Sequence, residues 1–512
     1  MHSPTDEQAA IEKAAVQLLE KPRGIIKTVA GAGCGKTTTL QGAARGCKEA
    51  GARRLCYLAY NKPLVDDGKE RFNNLANVRT FNSMAFEGTA AQKSGRKTGN
   101  LYPSHVVQAF DLRSKKLPIN ADNFSRVILQ TLSAFCNSSS TTVLESHLPA
   151  WVKDPVVGGL AVQYASVLFQ GVRVGQNTVL PLPHELYLKE WHLQGCPGLS
   201  SFEMVLLDEA QDANGVLLGC LAYAQRAVVV ADTAQQLYAY KGAQDAMLKI
   251  PGAGYPLSLS FRFGPDIASV ANRILRAKSN PPPIQLKGLA GKETRVGKLR
   301  HRTPHTKIFR HNVSIARDAM VLADLRTPFT IVGDMHDLKE KIISANALMQ
   351  RNHREIRHPA YSQFRIWGEF GDWAADHPDS EVSQAGMLAS EYGERVDDLI
   401  RILSGGGQSQ HPEVILTGVY RAKGREWNNV VIAGDFDSKL EALTRRGNGH
   451  QLDEELNLLY VASTRVKALL ESQSQFLDRL IRYPPSPPLL NITLPATAGI
   501  FWFFAESGER AS

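Results

Sequence analysis

The residues best suited to chemistry lie in a glycine-rich stretch, 30–37, which reads Ala-Gly-Ala-Gly-Cys-Gly-Lys-Thr. It follows the apolar run 24–29 and precedes a segment of helical character. A glycine turn between a strand and a helix lets backbone N–H groups approach phosphate oxygens, while Lys36 adds a positive charge and Thr37 a hydroxyl ligand for Mg²⁺. The alternative is a glycine-rich hairpin without a ligand. The combination of Gly-Lys-Thr with a preceding β-branched run favours a phosphate-binding loop.

Acidic residues follow two further apolar runs. Asp208 and Glu209 come directly after the run 202–207, and Asp232 follows the run 227–231, with Gln235 close behind. Asp208 can hold Mg²⁺ through water while Glu209 polarises an attacking water molecule, as phosphoanhydride hydrolysis requires beside a phosphate loop. The alternative for this pair is an acidic turn that arose by chance.

Aromatic and amide side chains end two other predicted strands. The strand expected over 55–60 ends in Tyr60 and runs into Asn61, and the strand near 78–81 ends in Phe81 and runs into Asn82. In an open parallel sheet, ligands bind at the carboxyl ends of the strands. Rings that stack, together with amide donors, suit single-stranded nucleic acid. For each ring taken singly, the alternative is an ordinary aromatic residue that covers the core.

The elements that position these residues must belong to a large globular chain with a basic surface. The 512 residues include 59 Lys and Arg against 50 Asp and Glu, so the formal net charge is +9 and the pI about 9.1. This excess favours a polyanionic partner such as nucleic acid, although it could serve only solubility. The six cysteines show no C-x-x-C spacing, which indicates a reducing compartment. We expect neither a secretory signal nor a membrane-spanning segment.

The pattern of apolar runs predicts an α/β chain with two interruptions. A helix is expected from Asp6, capped by Thr5, and strand–helix alternation continues until a mainly helical insertion at 87–199. A second, weakly patterned and helical region is expected over about 315–403, and the glycine triplet 405–407 marks the return from it. A helix is expected from 454 to 470. The stretch after Pro281–Pro283 is basic, and its cations are Lys287, Lys292, Arg295, Lys298, Arg300 and Arg302.

Nine short blocks, taken in order, resemble the superfamily 1A helicases of the UvrD/Rep type, and within them the helicase core of the F-box DNA helicases. The blocks are 7–8, 30–37, 60–62, 79–83, 208–212, 232–243, 260–263, 422–427 and 458–465. The resemblance thus covers residues 7 to 465. It implies the motor portion only, and we expect no F-box in this chain.

The resemblance implies two RecA-like parallel-sheet domains, each with an inserted, mainly helical subdomain. These are 1–86 with 200–260 for the first domain, 87–199 for its insertion, 261–310 with 405–480 for the second, 311–404 for a short second insertion, and 481–512 for a Pro-rich tail. ATP, with Mg²⁺, would lie between the two domains. The expected nucleotide-binding residues are Gln8, Ala32, Gly33, Cys34, Gly35, Lys36, Thr37, Thr38, Phe261 and Glu426.

By the same resemblance, Thr37 and Asp208 hold the metal, and the catalytic residues are Lys36, Glu209, Gln235, Arg262 and Arg465. Arg262 and Arg465 would be arginine fingers, and Gln235 would sense the γ-phosphate. The expected DNA-binding residues are Tyr60, Asn61, Phe81, Asn82, Tyr238, Tyr240, Lys241 and Trp427.

The implied function is that of an ATP-dependent DNA helicase or single-stranded DNA translocase with 3′ to 5′ polarity, acting in DNA repair, recombination or replication. One alternative is an enzyme that removes proteins from DNA without unwinding it. Another is a nucleotide-switched DNA-binding subunit of a larger complex, for example in genome defence. We expect single-stranded or partly duplex DNA as the partner, no membrane, and a monomer or DNA-induced dimer. The expected location is the cytoplasm (nucleoid) of a prokaryote or the nucleus of a eukaryote.

Overall fold

The computed structural model describes residues 3–59, 62–89, 91–173, 179–237, 250, 254–447 and 449–483. They divide into two units, one up to Ser258 and one from Leu259 onward. Each unit contains a six-stranded sheet whose strands are all parallel. Parallel strands are buried on both faces, which explains why most of them are near-continuous apolar runs. The predicted α/β class, with two parallel sheets as in RecA-like domains, is confirmed.

In the first unit the strand order is β3-β2-β4-β5-β1-β6. The strands are β1 (Gly24–Ala30), β2 (Leu55–Ala59), β3 (Asn77–Thr80), β4 (Met204–Leu207), β5 (Arg226–Ala231) and β6 (Gly254–Leu257). The helices described in this unit are α1 (Asp6–Leu18), which precedes β1, α2 (Lys36–Glu49), α3 (Lys62–Arg71), α4 (Phe81–Gly88), α5 (Pro103–Phe110), α6 (Ala121–Cys136), α7 (Pro155–Val172), α8 (His184–Leu193) and α9 (Gly215–Leu221).

The order of the central strands positions the candidate site. Strands β4, β5 and β1 are neighbours, with Val205 paired to Ala227 and Ile25 paired to the same residue from the other side. Because the three strands are parallel, the segments that follow them emerge at one edge of the sheet. The phosphate-loop segment, Asp208 with Glu209, and Asp232 with Gln235 are therefore brought together.

The insertion in the first unit is mainly helical, as expected. Its helix α7 is, among the described residues, the one helix long and apolar enough to cross a membrane, with a mean hydropathy of 1.3 over 18 residues. This helix packs against α6, where the rings of Phe135 and Phe169 meet edge to face at 5.1 Å. Its apolar composition thus serves the packing of the insertion.

In the second unit the main sheet has the order β11-β12-β10-β13-β14-β9, and a small sheet pairs β7 with β8. The strands are β7 (Leu259–Ser260), β8 (Lys287–Gly288), β9 (Arg295–Val296), β10 (His305–Phe309), β11 (Phe329–Val332), β12 (Val414–Gly418), β13 (Trp427–Ile432) and β14 (Val466–Ser472). The helices are α10 (Pro265–Arg276), α11 (Asn312–Asp324), α12 (His336–Met349), α13 (Trp367–Asp376), α14 (Glu381–Tyr392), α15 (Val396–Leu403), α16 (Val419–Ala422), α17 (Asp437–Arg446), α18 (Gly449–Ser463) and α19 (Gln475–Arg482).

Two expectations for the second unit differ from the structure. The helix expected over 454–470 ends at Ser463, and the residues from Val466 form β14 between β13 and β9. The region expected to be helical over 315–403 contains β11, which pairs with β12 in the main sheet. In both cases a short apolar run fits a strand or a helix, and pairing with a neighbouring strand decides which one forms. The domain boundaries themselves remain a prediction.

Candidate nucleotide-binding site

The glycine-rich segment joins β1 to α2 in the left-handed conformation that glycine adopts at no steric cost. Gly33 has a φ of 74° and Gly35, which precedes the first turn of α2, has a φ of 73°. No side chain among the described residues caps that turn. Its backbone N–H groups and the positive end of the helix dipole thus face the loop, an arrangement that binds anions.

The other loop residues expected to contact nucleotide lie between β1 and the first turn of α2. They are Ala32, Cys34 and Thr38. Burial, followed by the charge of Asp232, raises the pKa of the Cys34 thiol to about 12. Cys34 is therefore a neutral group that does not repel a phosphate. All six cysteines are free and buried.

Lys36, the first residue of α2, forms an ion pair across the sheet edge. Its Nζ atom lies 2.9 Å from Oε1 of Glu209, and the two side chains are 11% and 22% exposed. Burial alone would lower the pKa of Lys36, but Glu209, Asp232 and Asp208 together raise it above the ordinary value. Lys36 is therefore a fixed positive charge beside three carboxylates.

Asp208 and Thr37 form the oxygen pair expected for Mg²⁺. Thr37 Oγ1 donates to Asp208 Oδ2 at 2.6 Å, and the Tyr57 hydroxyl donates to the same oxygen at 3.2 Å. Burial and the neighbouring Glu209 raise the pKa of Asp208, whereas Lys36 and the hydrogen bond from Thr37 oppose that rise. A divalent cation would offset this concentration of negative charge, and hydroxyl and carboxylate oxygens are its ordinary ligands. The residues present therefore fit Mg²⁺.

No group of three or more His, Cys, Asp or Glu side chains able to hold a metal occurs among the described residues. Mg²⁺ does not need one, since it takes one or two protein oxygens and completes its shell with phosphate and water.

Glu209 is held in an unusual conformation by several contacts. Its φ of 51° is left-handed, which costs a residue with a side chain about 1–2 kcal/mol. One carboxylate oxygen pairs with Lys36, and the other accepts a hydrogen bond from Nε2 of Gln211. These contacts hold the carboxylate beside the phosphate loop.

Gln211 is a site residue that was missed in the sequence. Its Oε1 accepts from the backbone N–H of Asp232 at 3.0 Å, and Oδ2 of Asp232 accepts from Nε2 of Gln235 at 2.6 Å. A hydrogen-bonded chain thus runs from Glu209 through Gln211 and Asp232 to Gln235. The sequence signal was its place inside the block 208–212, but only the fold shows that its amide joins two strand ends.

Gln8, expected to contact adenine, already has local partners. Its Oε1 accepts from the backbone N–H of Thr5, and its backbone N–H bonds the Thr5 hydroxyl, so the two residues form a capping box for α1. Its Nε2 donates to Oγ1 of Thr39 on α2 at 3.3 Å. Gln8 thus joins α1 to the helix of the phosphate loop, and contact with adenine stays a prediction.

The second unit gathers its predicted residues at the start of β13 and β14. Arg262 donates to the carbonyl oxygen of Thr464 at 2.9 Å and lies 3.4 Å from the carboxylate of Glu426. Arg465 is buried and donates through Nε to the carbonyl oxygen of Val461. The backbone N–H of Trp427 donates to the carbonyl oxygen of Arg465 at 2.9 Å.

Phe261 directly precedes this cluster in the chain. It is half-buried, and its carbonyl oxygen accepts from Nζ of Lys292 at 3.0 Å. Its stacking on adenine, the ribose contact of Glu426 and the finger roles of Arg262 and Arg465 stay predictions.

Of the expected DNA-binding residues, Tyr60, Asn61, Tyr238, Tyr240 and Lys241 lie outside the described residues.

The other three DNA-binding candidates are described. Trp427 begins β13 and is half-buried. Phe81 and Asn82 begin α4 at the carboxyl end of β3 and line a cavity of about 660 Å³, together with residues of the helical insertion such as Tyr102 and His184. Phe81 is only 3% exposed, and Oδ1 of Asn82 is buried without a described hydrogen-bond partner. Stacking on Phe81 would therefore require a base to enter this cavity.

Comparison with known proteins agrees with this picture. Residues 396–472 match the UvrD-like helicase C-terminal domain. The chain is 27% identical to F-box DNA helicase protein 1 of Schizosaccharomyces pombe over 92% of this chain and 58% of that protein, and 27% identical to F-box DNA helicase 1 of Gallus gallus over 88% and 47%. It is 24% identical to the ATP-dependent DNA helicase UvrD2 of Mycobacterium bovis over 52% of this chain and 47% of that protein.

The chain spans about half the length of these relatives. By these matches the chain is similar to the UvrD-type helicases of superfamily 1, and its residues 396–472 resemble their C-terminal domain.

Proposed function

We propose that this protein is an ATP-dependent DNA helicase that moves along single-stranded DNA in the 3′ to 5′ direction, and that it serves DNA repair, recombination or replication. The observation that carries the proposal is the cluster at one sheet edge, where Lys36 meets Glu209 and Thr37 meets Asp208. This cluster combines a phosphate ligand, two metal ligands and a base for water. The names of the relatives support DNA as the partner, and the polarity is inferred from the family.

In this proposal the loop N–H groups and Lys36 hold the phosphates of ATP. Thr37 and Asp208 would hold Mg²⁺, which neutralises charge on the transferring phosphoryl group. Glu209 accepts the proton of the attacking water. The ammonium of Lys36 would then leave Glu209 for the phosphates, which frees the carboxylate for this role.

Coupling to movement would pass through Gln235. Its amide bonds Asp232, which Gln211 joins to Glu209, so a change at the γ-phosphate can alter the segment after β5. That segment leads into 238–241, where three of the expected DNA-binding residues lie. Arg262 and Arg465 of the second unit would stabilise the charge that develops on the phosphates.

The test compares the natural protein with Glu209→Gln in a steady-state ATPase assay, with and without single-stranded DNA, at two salt concentrations. We expect DNA to stimulate hydrolysis, salt to weaken that stimulation, and Glu209→Gln to bind DNA while turnover is lost. Hydrolysis that is absent or indifferent to DNA would refute the motor.

Strand separation is then measured on duplexes with a 3′ or a 5′ single-stranded tail. Unwinding of the 3′-tailed duplex alone is the expected result. Movement that displaces a DNA-bound protein but no strand would favour a protein-removing translocase. DNA binding that depends on nucleotide, without turnover, would favour a switch subunit.

A further inference from the structure

Positive charge is concentrated in one short segment of the second unit. Residues 287–302 contain six Lys and Arg and one acid, Glu293, so their net charge is +5, whereas the whole chain carries +9. These sixteen residues thus carry more than half of the net positive charge of the chain. The predicted nucleotide and DNA contacts use none of these six cations.

The fold holds this segment in place. Strands β8 and β9 both pack against α10, and β9 is the edge strand of the main sheet. The Asn272 side chain bonds both the N–H and the carbonyl oxygen of Leu286, at 2.9 and 2.8 Å, and the backbone N–H of Gly264 donates to Thr294 at 3.2 Å. The backbone of this segment is therefore held in a defined position.

Most of these cations face solvent without an acidic partner. Lys287, Lys298, Arg300 and Arg302 are exposed, and their side chains form no ion pair with a described residue. Arg295 is exposed as well and lies 4.0 Å from Glu293, while Lys292 is half-buried and bonds the Phe261 carbonyl oxygen. We call the five exposed cations the basic face.

A groove beside α10 includes Lys287 of this face. Its volume is about 420 Å³, and its polar lining includes Arg273, Arg276 and Lys287 with the amides of Asn272 and Gln285. No carboxylate is among its described lining residues. A groove with cations and amide donors but no acid offers a site for an anion.

We propose that the basic face and this groove bind the phosphodiester backbone of nucleic acid, at a site additional to the predicted contacts of Phe81, Asn82 and Trp427. The exposed cations supply charge, and the exposed amide of Gln285 in the groove supplies a hydrogen-bond donor for phosphate oxygens. Binding there is independent of base sequence and sensitive to salt.

The surroundings favour nucleic acid over an acidic protein. Among the described residues in the range 287–302, Val296 is the only large apolar residue whose side chain is exposed, with an exposed fraction of 36%. Protein interfaces depend on apolar and aromatic anchors at their centre, whereas nucleic-acid interfaces are polar and strongly positive. The inference depends on the proposed function for one point, namely that the nucleic acid is DNA.

The test is a triple variant, Lys287→Gln with Lys298→Gln and Arg300→Gln. Its matched control is Arg354→Gln with Arg357→Gln and Arg365→Gln, which removes three exposed cations from the insertion of the same unit. Fluorescence anisotropy measures the Kd for a 60-nucleotide and a 10-nucleotide single strand over a range of KCl concentrations. Thermal unfolding of each variant shows that it is folded.

For the 60-mer we expect the triple variant to bind at least about tenfold more weakly than the control at 0.1 M salt, and the slope of log Kd against log salt to fall by about 2. Binding of the 10-mer and ATPase stimulation by it should not change. A 60-mer Kd and slope equal to those of the control would overturn the proposal. An equal loss with the 10-mer would also overturn it, because the face would then belong to the motor contacts.

A polyglutamate competitor tests the remaining source of negative charge. If the triple variant loses affinity for polyglutamate but not for the 60-mer, the partner is an acidic protein and the proposal is wrong. Absence of DNA-stimulated ATPase in the natural protein would refute the motor instead, while the comparison of salt slopes would still decide the basic face.

Discussion

Replacement of Gln211 tests whether its amide positions the base of the reaction. Gln211 is 1% exposed and joins Glu209 to the backbone of Asp232. Gln211→Ala removes a donor to a charged carboxylate, a hydrogen bond that contributes about 1.5–3 kcal/mol. If that energy holds Glu209 in its reactive position, kcat should fall about 10- to 150-fold, at 1.4 kcal/mol per tenfold.

The assay is steady-state ATP hydrolysis with saturating single-stranded DNA. We expect kcat to fall while KM for ATP changes little, because Gln211 contacts Glu209 and the Asp232 backbone and is not one of the predicted ATP ligands. Gln211→Glu keeps an acceptor for the Asp232 N–H but places a second carboxylate against Glu209, so its kcat should fall at least as far. Gln17→Ala, on the exposed side of α1, is the control.

A purely structural role for Gln211 has a different result. The Asp232 N–H would lose its hydrogen bond to Gln211 in Gln211→Ala and the protein would unfold at a lower temperature, yet the folded fraction would keep its kcat. A kcat within twofold of the natural enzyme, measured well below the unfolding temperature, would refute the positioning role.

Three further outcomes follow from single contacts. Thr37→Val keeps the shape of the side chain but removes the hydroxyl beside Asp208. The Mg²⁺ concentration for half-maximal ATPase should then rise about 5- to 30-fold, which corresponds to about 1–2 kcal/mol of lost binding free energy. An unchanged Mg²⁺ concentration for half-maximal ATPase would contradict the metal role of Thr37. Burial, and then the charge of Lys189, lowers the pKa of His192 to about 4, so the folded state does not bind a proton that the unfolded chain binds below about pH 6.5. The free energy of unfolding should therefore fall by about 3 kcal/mol between pH 6.5 and pH 4. Urea titrations at each pH measure this fall, and His192→Gln should remove it. Arg310→Met removes the bidentate partner of the buried Glu455 carboxylate, so the free energy of unfolding in urea should fall by about 3–5 kcal/mol. Adding Glu455→Met should restore most of this loss. An equal loss in the double variant would show that the ion pair itself is not responsible.

Local patterns in the sequence predicted much of the candidate site. Gly-Lys-Thr after an apolar run, and acidic residues after the next runs, need only the rules of strand, turn and helix. The same rules predicted α1 from the Thr5 cap and β4 from its apolar run, and both are present. Such features depend on neighbours within a few residues, which the sequence contains in full.

Other features depended on partners that are distant in the chain. The run from Val466 satisfies either a helix or a strand, and its pairing between β13 and β9 made it a strand, which placed Arg465 in the turn before it. Phe81 had the right type for stacking, but its burial depends on the helical insertion that packs around α4.

Gln211 shows the same division most clearly. The sequence placed it two residues after Glu209, in a block of suitable chemistry. Only the adjacency of β4 and β5 brings its amide to the Asp232 backbone, 21 residues away. The sequence by itself therefore determined which chemical groups this protein carries at its strand ends, and the tertiary structure decided which of them touch, because parallel neighbours are set by the order of the strands in the sheet.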